Sequence, residues 1–247
     1  IARAAIEELK RRSGDAEGLV EMLLEKVESE ESAELFVANP RITDPAGAYL
    51  EHETERYLSE HGRNDVGDGV FDVTREFLAS GFTPISGTFF RLSALLKTGF
   101  VTKNFVGNYP FECDVFLRLA DRGVSGFFDS GTLLSFSFHA SSMRNYMNPM
   151  NNRVCVERLV FLFGARSYDG VAERRRRTLL SRYYRALSLL DLREHRVKEA
   201  RAHISQAVRN NPLTLEGWPP FLAILTAPGL FANMLRPLPE LREAPKA

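Results

Sequence analysis

Cysteine is scarce in this sequence, with two residues in a chain of 247. Cys113 and Cys155 form no disulfide framework, and neither has a partner at a metal-ligand spacing. A small fold held together by disulfides is therefore excluded. The sequence predicts reduced thiols, as in a cytosolic compartment.

The sequence also lacks a net charge, because 32 Lys and Arg balance 32 Asp and Glu. A general attraction to nucleic acid or to an anionic membrane is therefore not indicated. No run approaches the roughly 18 apolar residues that a membrane span needs, and we expect no signal peptide. We expect a cytoplasmic protein with no transmembrane segment and no nucleic-acid partner. Because the chain begins with Ile1 and not with Met, we also expect it to be a fragment.

The chain is long enough for one large domain, or for a domain with an appendage. Short strand-like runs alternate with amphipathic helices up to residue 150, and helical periodicity prevails beyond it. The sequence predicts an α/β domain over residues 1–150, followed by an α-helical extension over residues 151–247.

The patterns of the first domain also predict its individual elements. Helices are predicted at 2–12, 17–28, 70–80, 94–97 and 111–121. Strands are predicted at 35–38, 41–43, 89–91, 124–128 and 133–138. Asn39-Pro40 interrupts the first pair of strands, and a turn at Ser130-Gly131 separates the last pair.

The extension contains the spacing of one tetratricopeptide-type helix pair, carried by Tyr184, Leu187, Ala200, Ile204, Ala207 and Pro212. Small residues at two of these positions allow the helices to cross closely. We expect a lone helical hairpin, which could receive a protein partner.

A basic run, Arg174–Arg177, lies at the start of these helices. A solvated helix face is the expected explanation. The alternative is a surface that binds nucleic acid or anionic lipid.

Residues 82–144 concentrate the side chains that carry chemistry. Glu112 and Asp114 stand at the start of the predicted helix 111–121, where the helix dipole favours carboxylates. The dipole alone is one explanation for them. The other is a general base that takes the proton of an acceptor hydroxyl. Residues two apart do not share a helix face, so we expect one of the two to enter a cleft, and Glu112 is the first choice.

Two further features of this stretch have open interpretations. His139 ends a strand-like run, where it is a metal ligand, a phosphate contact or a hydrogen-bonded structural residue. Ser86-Gly87-Thr88 either lines a sugar or phosphate site or forms a tight turn.

Four segments in this order resemble the acceptor-side half of inverting family 2 glycosyltransferases: SGTFFR, ALLKTGF, FECDVFLRLADRG and SFSFHASSMR. The resemblance covers roughly residues 16–145 and includes AELFVANPRITDPAGAYL upstream. It implies a glycosyltransferase-A type fold, in which a Rossmann-like α/β sheet binds a nucleotide-sugar. EARAHISQAVRNNP resembles the helical extension that often follows such domains in bacteria.

The resemblance assigns roles to residues of this chain. Setting Arg118 on the arginine of the family's motif places Glu112 on the catalytic base, where the family usually has Asp. Asp114 falls where a second acid is common and is the fallback base. His139 matches a position that in many members helps to bind the metal or the donor diphosphate.

The substrate-binding assignments come from two neighbouring segments. Ser86, Thr88 and Arg91 match a segment that lines the cleft of the family. Arg144 follows the histidine as polar or basic residues do in relatives.

The resemblance implies transfer of a sugar from a nucleotide-sugar to a saccharide or other hydroxyl acceptor, with inversion and with Mn or Mg as cofactor. It also implies work on bacterial cell-envelope polysaccharide. The Gln-x-x-Arg-Trp motif of processive members is absent, so single transfers are expected. The first βαβ units and the metal-bearing Asp-x-Asp element are not found in the sequence, so we expect the transferase domain to be partial. The alternative is a degenerate transferase that acts as a scaffold through its C-terminal helices.

Overall fold

The computed structural model describes residues 29, 32–80, 87–99, 108–137, 150, 152–212 and 218–235. The chain divides into two compact units. The sheet unit comprises residues 1–98 and 119–137, and the helical unit comprises residues 99–118 and 138–247. A mixed four-stranded sheet with many helices confirms the predicted α/β class. The predicted boundary at residue 150 adjoins residues outside the described ranges and stays a prediction.

The sheet has the strand order β2-β4-β1-β3. Its strands are β1 (Leu35–Thr43), β2 (Gly69–Asp72), β3 (Thr88–Phe90) and β4 (Ser125–Ser137). The two central strands, β1 and β4, run parallel, and each outer strand is antiparallel to its neighbour.

The core of the sheet unit forms around the first half of β1. Residues 35–38 of this strand are all buried, and Phe128 of the adjacent β4 is fully buried. An uninterrupted apolar run is what a central parallel strand needs, because both of its faces are covered. The prediction of a buried strand at 35–38 is confirmed.

Two predicted interruptions of the central strands are wrong. β1 continues through Asn39-Pro40, and β4 continues through Ser130-Gly131. The reason is a bulge: the register shifts on both sides of Asn39, and Ala38 pairs with Asp129 whereas Asn39 pairs with Thr132. A bulge tolerates a proline or an extra residue inside a strand that continues beyond it.

Asp68 anchors this bulge from outside the two strands. Its Oδ1 accepts the backbone N–H of Ser130 at 2.5 Å, and its Oδ2 accepts the hydroxyl of the same residue at 3.0 Å. Asn39 adds a bond from Nδ2 to the carbonyl oxygen of Ser130 at 3.2 Å. The polar residues that indicated a turn therefore stabilise an irregular strand pair.

The other described elements of the sheet unit are α1 (Glu51–Glu60), a 3₁₀ turn (Arg63–Asp65), a π-helical segment (Arg75–Ser80) and α2 (Leu92–Lys97). The helix predicted from residue 70 is wrong at its start. Val70 and Phe71 pair with β4 as part of β2, and this pairing overrides the local helical pattern. The helices predicted at 2–12 and 17–28 lie outside the described residues.

The helical unit contains α3 (Asn108–Ala120) up to Arg118, and the helices α4 (Arg153–Gly164), α5 (Gly170–Arg193), α6 (Val197–Asn210), α7 (Trp218–Thr226) and α8 (Pro228–Met234). The predicted helical character of the extension is confirmed. No helix in the described part of the chain is long and apolar enough to cross a membrane.

Helices α5 and α6 form the predicted close pair. Ala200, Ile204 and Ala207 of α6 are buried. Ser188 of α5 is fully buried and donates its hydroxyl to the carbonyl oxygen of Ala200 at 2.9 Å. The small side chains thus allow α5 and α6 to approach each other closely, as the sequence predicted.

Candidate functional site

Glu112 lies in the second turn of α3, because the helix begins at Asn108 and not at the predicted residue 111. The helix dipole acts mainly within the first turn. It is therefore a weaker explanation for this carboxylate than the sequence indicated. The side chain is half-buried and makes no hydrogen bond or ion pair with any residue that the structure describes.

Burial raises the pKa of the Glu112 carboxyl to about 7. Removal from water disfavours the charged form of a carboxyl group, and this is the cause of the shift. At neutral pH the group is close to the midpoint of its titration, where it can both accept and release a proton. A general base works best when its pKa lies near the working pH.

Asp114, two residues further on, has a different environment. Its side chain is 3% exposed, and its Oδ2 accepts Nε and Nη2 of Arg118, both at 3.0 Å. Nη2 of Arg166 in α4 lies 3.7 Å from the other oxygen, Oδ1. The carboxylate is thus buried and neutralised by two guanidinium groups, which is a structural arrangement.

Arg118 also connects α3 to the chain that precedes it. Its Nη1 donates to the carbonyl oxygen of Gly99 at 3.4 Å, and Gly99 has a φ of +67°. The motif arginine therefore fixes both Asp114 and the turn at residue 99.

Three of the predicted substrate-binding residues belong to the sheet unit. Thr88 is half-buried in β3 and pairs with Val37 of β1. The Nε of Arg91 donates to the carbonyl oxygen of Ala33 at 2.6 Å, and its guanidinium lies 5.7 Å from the ring centre of Phe36. Both residues have clear structural contacts, and Ser86 lies outside the described residues.

His139 and Arg144 also lie outside the described residues. Thr88 and Arg91 belong to one unit and the two acids to the other, so their grouping into one cleft stays a prediction. Within the helical unit, the structure brings Glu112 and Asp114 onto one helix and gives only the first an environment suited to proton transfer.

Sequence reasoning missed two polar clusters. Arg166 is the distant partner of Asp114, and nothing in the spacing of these residues indicates the contact. Asp191 is 1% exposed. Side-chain nitrogens of Arg153, Arg196 and His203 lie 2.8, 2.9 and 2.6 Å from its carboxylate oxygens. The only sequence signal for this second cluster is an acid inside an otherwise apolar stretch of α5.

A cavity of about 300 Å³ opens within the sheet unit. Its charged lining residues are Glu34, Lys97 and Arg122, and Lys97 lies 3.2 Å from Glu34. The lining includes residues at the amino ends of β1 and β4. In open parallel α/β sheets, ligands bind at the opposite edge, outside the carboxyl ends of the strands.

The described residues contain no thiol nucleophile and no metal cluster. Cys113 and Cys155 are both buried, and burial raises the pKa of Cys155 to about 11. Thiols in such surroundings are unreactive. No three His, Cys, Asp or Glu side chains of the described ranges converge on a point that could hold a metal ion.

Comparison of the chain with protein-family models, with curated proteins and with solved structures gives no match.

Proposed function

We propose that this chain is the acceptor-side part of an inverting, non-processive glycosyltransferase that uses a nucleotide-sugar, with Glu112 as the catalytic base. The observation that carries the proposal is the half-buried Glu112 carboxyl with its pKa of about 7. It occupies the position that the motif resemblance gives to the base. Asp114, the fallback base, suits this role less, because its carboxylate is buried and ion-paired with two arginines.

The chemistry assigned to Glu112 is removal of one proton. An acceptor hydroxyl attacks the anomeric carbon of the donor sugar, and the nucleoside diphosphate leaves on the opposite face. The hydroxyl loses its proton to the carboxylate during the attack. Positioning and proton removal together account for a large part of such a rate enhancement, and a general base alone contributes about 10²–10⁴-fold.

The finer fold assignments belong to the same proposal. The parallel pair β1 and β4 with α3 between them in sequence is compatible with part of a Rossmann-like glycosyltransferase-A sheet. The helix pair α5 and α6 is compatible with one tetratricopeptide-type unit. The divalent metal also stays part of the proposal, with His139 as the candidate ligand, but no step is derived through it.

The test uses the full-length protein, a panel of nucleotide-sugars with Mn or Mg, and detection of the released nucleoside diphosphate. Glu112→Gln should lower turnover by about a hundredfold or more. Glu157→Gln, which removes an exposed glutamate of α4, is the matched control and should retain parental turnover. No acceptor-dependent release with any donor, or parental turnover in Glu112→Gln, would overturn the proposal.

One observation favours the second candidate, a scaffold function. Trp218, Leu222 and Leu225 are exposed on α7 at helical spacing. An apolar stripe of this kind suits an amphipathic partner helix. If this is the function, nucleotide-sugars should leave the melting temperature unchanged, because a ligand that binds only the folded state raises it.

A further inference from the structure

The arginine run at the start of α5 consists of two pairs with different surroundings. Arg176 is buried and bound by Glu173, with Nη2 2.6 Å from Oε1, and its Nη1 donates to a carbonyl oxygen. Arg177 donates Nη2 to the carbonyl oxygen of Arg209 at 3.1 Å. These two arginines are accounted for by contacts within the chain.

Arg174 and Arg175 are exposed, and their guanidinium groups make no ion pair or hydrogen bond within the described part of the chain. They lie in the second turn of α5, beside two other arginines, and like charges on one helix repel each other. Their position is electrostatically unfavourable for the helix itself. An external anion would offset that cost.

Arg182 extends the same surface. It is exposed and follows Arg174 and Arg175 by eight and seven residues, which is about two helical turns. The three side chains therefore share one face of α5, which we term the basic face.

Exposed apolar side chains flank the same end of α5. Val171, on the basic face, is 53% exposed, and Phe161, one turn before the end of α4, is 60% exposed. Only the short connection at residues 165–169 separates the two helices. Large apolar groups and arginines therefore occur together at this end of the helix pair.

The neutral total charge of the chain conceals a separation of charge. The helical unit contains 20 Lys and Arg against 11 Asp and Glu, whereas the sheet unit contains 12 against 21. A strongly basic unit is attracted to anionic surfaces even when the whole chain is neutral.

We propose that the basic face of α5, with Val171 and Phe161, docks on an anionic lipid bilayer. Guanidinium groups bind phosphate through two parallel hydrogen bonds. Exposed apolar side chains beside a basic face are typical of helices that lie in the membrane interface. A nucleic-acid duplex would use the arginines but not the exposed valine and phenylalanine, and a single strand could stack a base on the phenylalanine but would leave the valine unused, which is why the bilayer is favoured. This inference does not depend on the transfer reaction.

The test is co-sedimentation of the full chain with vesicles of phosphatidylcholine and phosphatidylglycerol, with pure phosphatidylcholine vesicles as the reference. Binding should require the anionic lipid and weaken as salt is raised. Neutralising the basic face should weaken it by about a hundredfold. The triple variant carries Arg174→Gln, Arg175→Gln and Arg182→Gln.

The matched control removes three exposed positive charges from the sheet unit, with Arg41→Gln, Arg75→Gln and Arg122→Gln. It should retain binding within about twofold. Melting temperatures will show whether both triple variants remain folded. The variant with the neutralised basic face should melt at the parental temperature or above it, because loss of the positive charges relieves repulsion at the start of α5.

The apolar contribution has its own matched pair. Val171→Ser and Val154→Ser each remove a half-exposed valine from the second position of a helix. Only the first should weaken vesicle binding, by about fivefold.

Four outcomes would overturn the proposal: equal binding to both kinds of vesicle, equal losses in the two triple variants, binding of labelled duplex or single-stranded RNA without binding of vesicles, or a low-salt dimer that the basic face mediates in place of vesicle binding.

Discussion

Arg166 of α4 places its Nη2 3.7 Å from Oδ1 of Asp114 in α3. Asp114 is buried and also bound by Arg118, so its carboxylate has cations at both oxygens. Glu112, one helical position before Cys113, has no such partner among the described residues and titrates near neutrality. The two neighbouring acids therefore have different surroundings: Asp114 is buried in an ion pair, and burial raises the pKa of Glu112.

Asp114→Asn should destabilise the chain, because it leaves two guanidinium groups without their buried counter-ion. We expect the free energy of unfolding to fall by about 3 kcal/mol at neutral pH, measured by urea denaturation. Glu157, which is 53% exposed and pairs with Arg153 at 3.4 Å, provides the control, and Glu157→Gln should change stability by less than about 0.5 kcal/mol. Equal stability of the two variants would contradict a buried ion-pair role.

Glu112→Gln should stabilise the chain in a pH-dependent way. The folded-state pKa of about 7 exceeds the ordinary value of 4.5, so the folded chain binds more protons than the unfolded chain between these values. The stability of the parental chain relative to the Glu112→Gln variant therefore falls as the pH rises from the lower to the higher of these two pKa values. We expect glutamine to gain about 3 kcal/mol at pH 8 relative to its effect at pH 4.

This prediction is measured by urea denaturation at the two pH values. Glu199→Gln, an exposed acid of α6, serves as the control and should show no comparable dependence on pH. A pH-independent effect of Glu112→Gln would mean that the carboxyl titrates normally.

Asp191→Asn should weaken the packing of α4, α5 and α6 against one another. Arg153, Arg196 and His203 all approach this buried carboxylate within 3.0 Å. We expect a loss of about 3 kcal/mol in the free energy of unfolding. Glu194 contacts the same two arginines but is 48% exposed, so Glu194→Gln should cost less than about 1 kcal/mol. Similar losses in both variants would show that burial does not decide the effect.

Gly126→Ala should disturb the centre of the sheet. A Cβ at this position would overlap the ring of Phe71 and lie 3.0 Å from Cδ1 of Leu35. We expect a loss of about 1–3 kcal/mol, measured by thermal or urea unfolding. Gly67→Ala is the control, since nothing lies within 4 Å of its added Cβ. Partial recovery in Gly126→Ala combined with Phe71→Leu would identify the ring as the obstacle.

Local patterns in the sequence predicted those elements that a short stretch of sequence determines. The apolar run at 35–38 requires a buried strand, and the small residues Ala200 and Ala207 require a close helix pair. Both features are decided by side chains within a few residues of one another, so periodicity was sufficient.

Features that depend on distant partners were not predictable in this way. Asn39-Pro40 carries a turn signal, yet β4 pairs along the whole of β1 and absorbs the proline in a bulge. The partners of Asp191 at residues 153 and 203 have no shared motif. Asp114 resembled a second catalytic acid, and the second cation beside it, Arg166, comes from a helix about 50 residues further along the chain.

The most direct test of Glu112 as the base is the pH dependence of kcat/KM for sugar transfer by the full-length protein. We expect kcat/KM to rise with pH through an apparent pKa of about 7 and then to level off, since the base must be unprotonated. Glu112→Gln should remove this rise together with about a hundredfold or more of kcat/KM. Parental kcat/KM with an unchanged acid limb in Glu112→Gln would contradict the assignment.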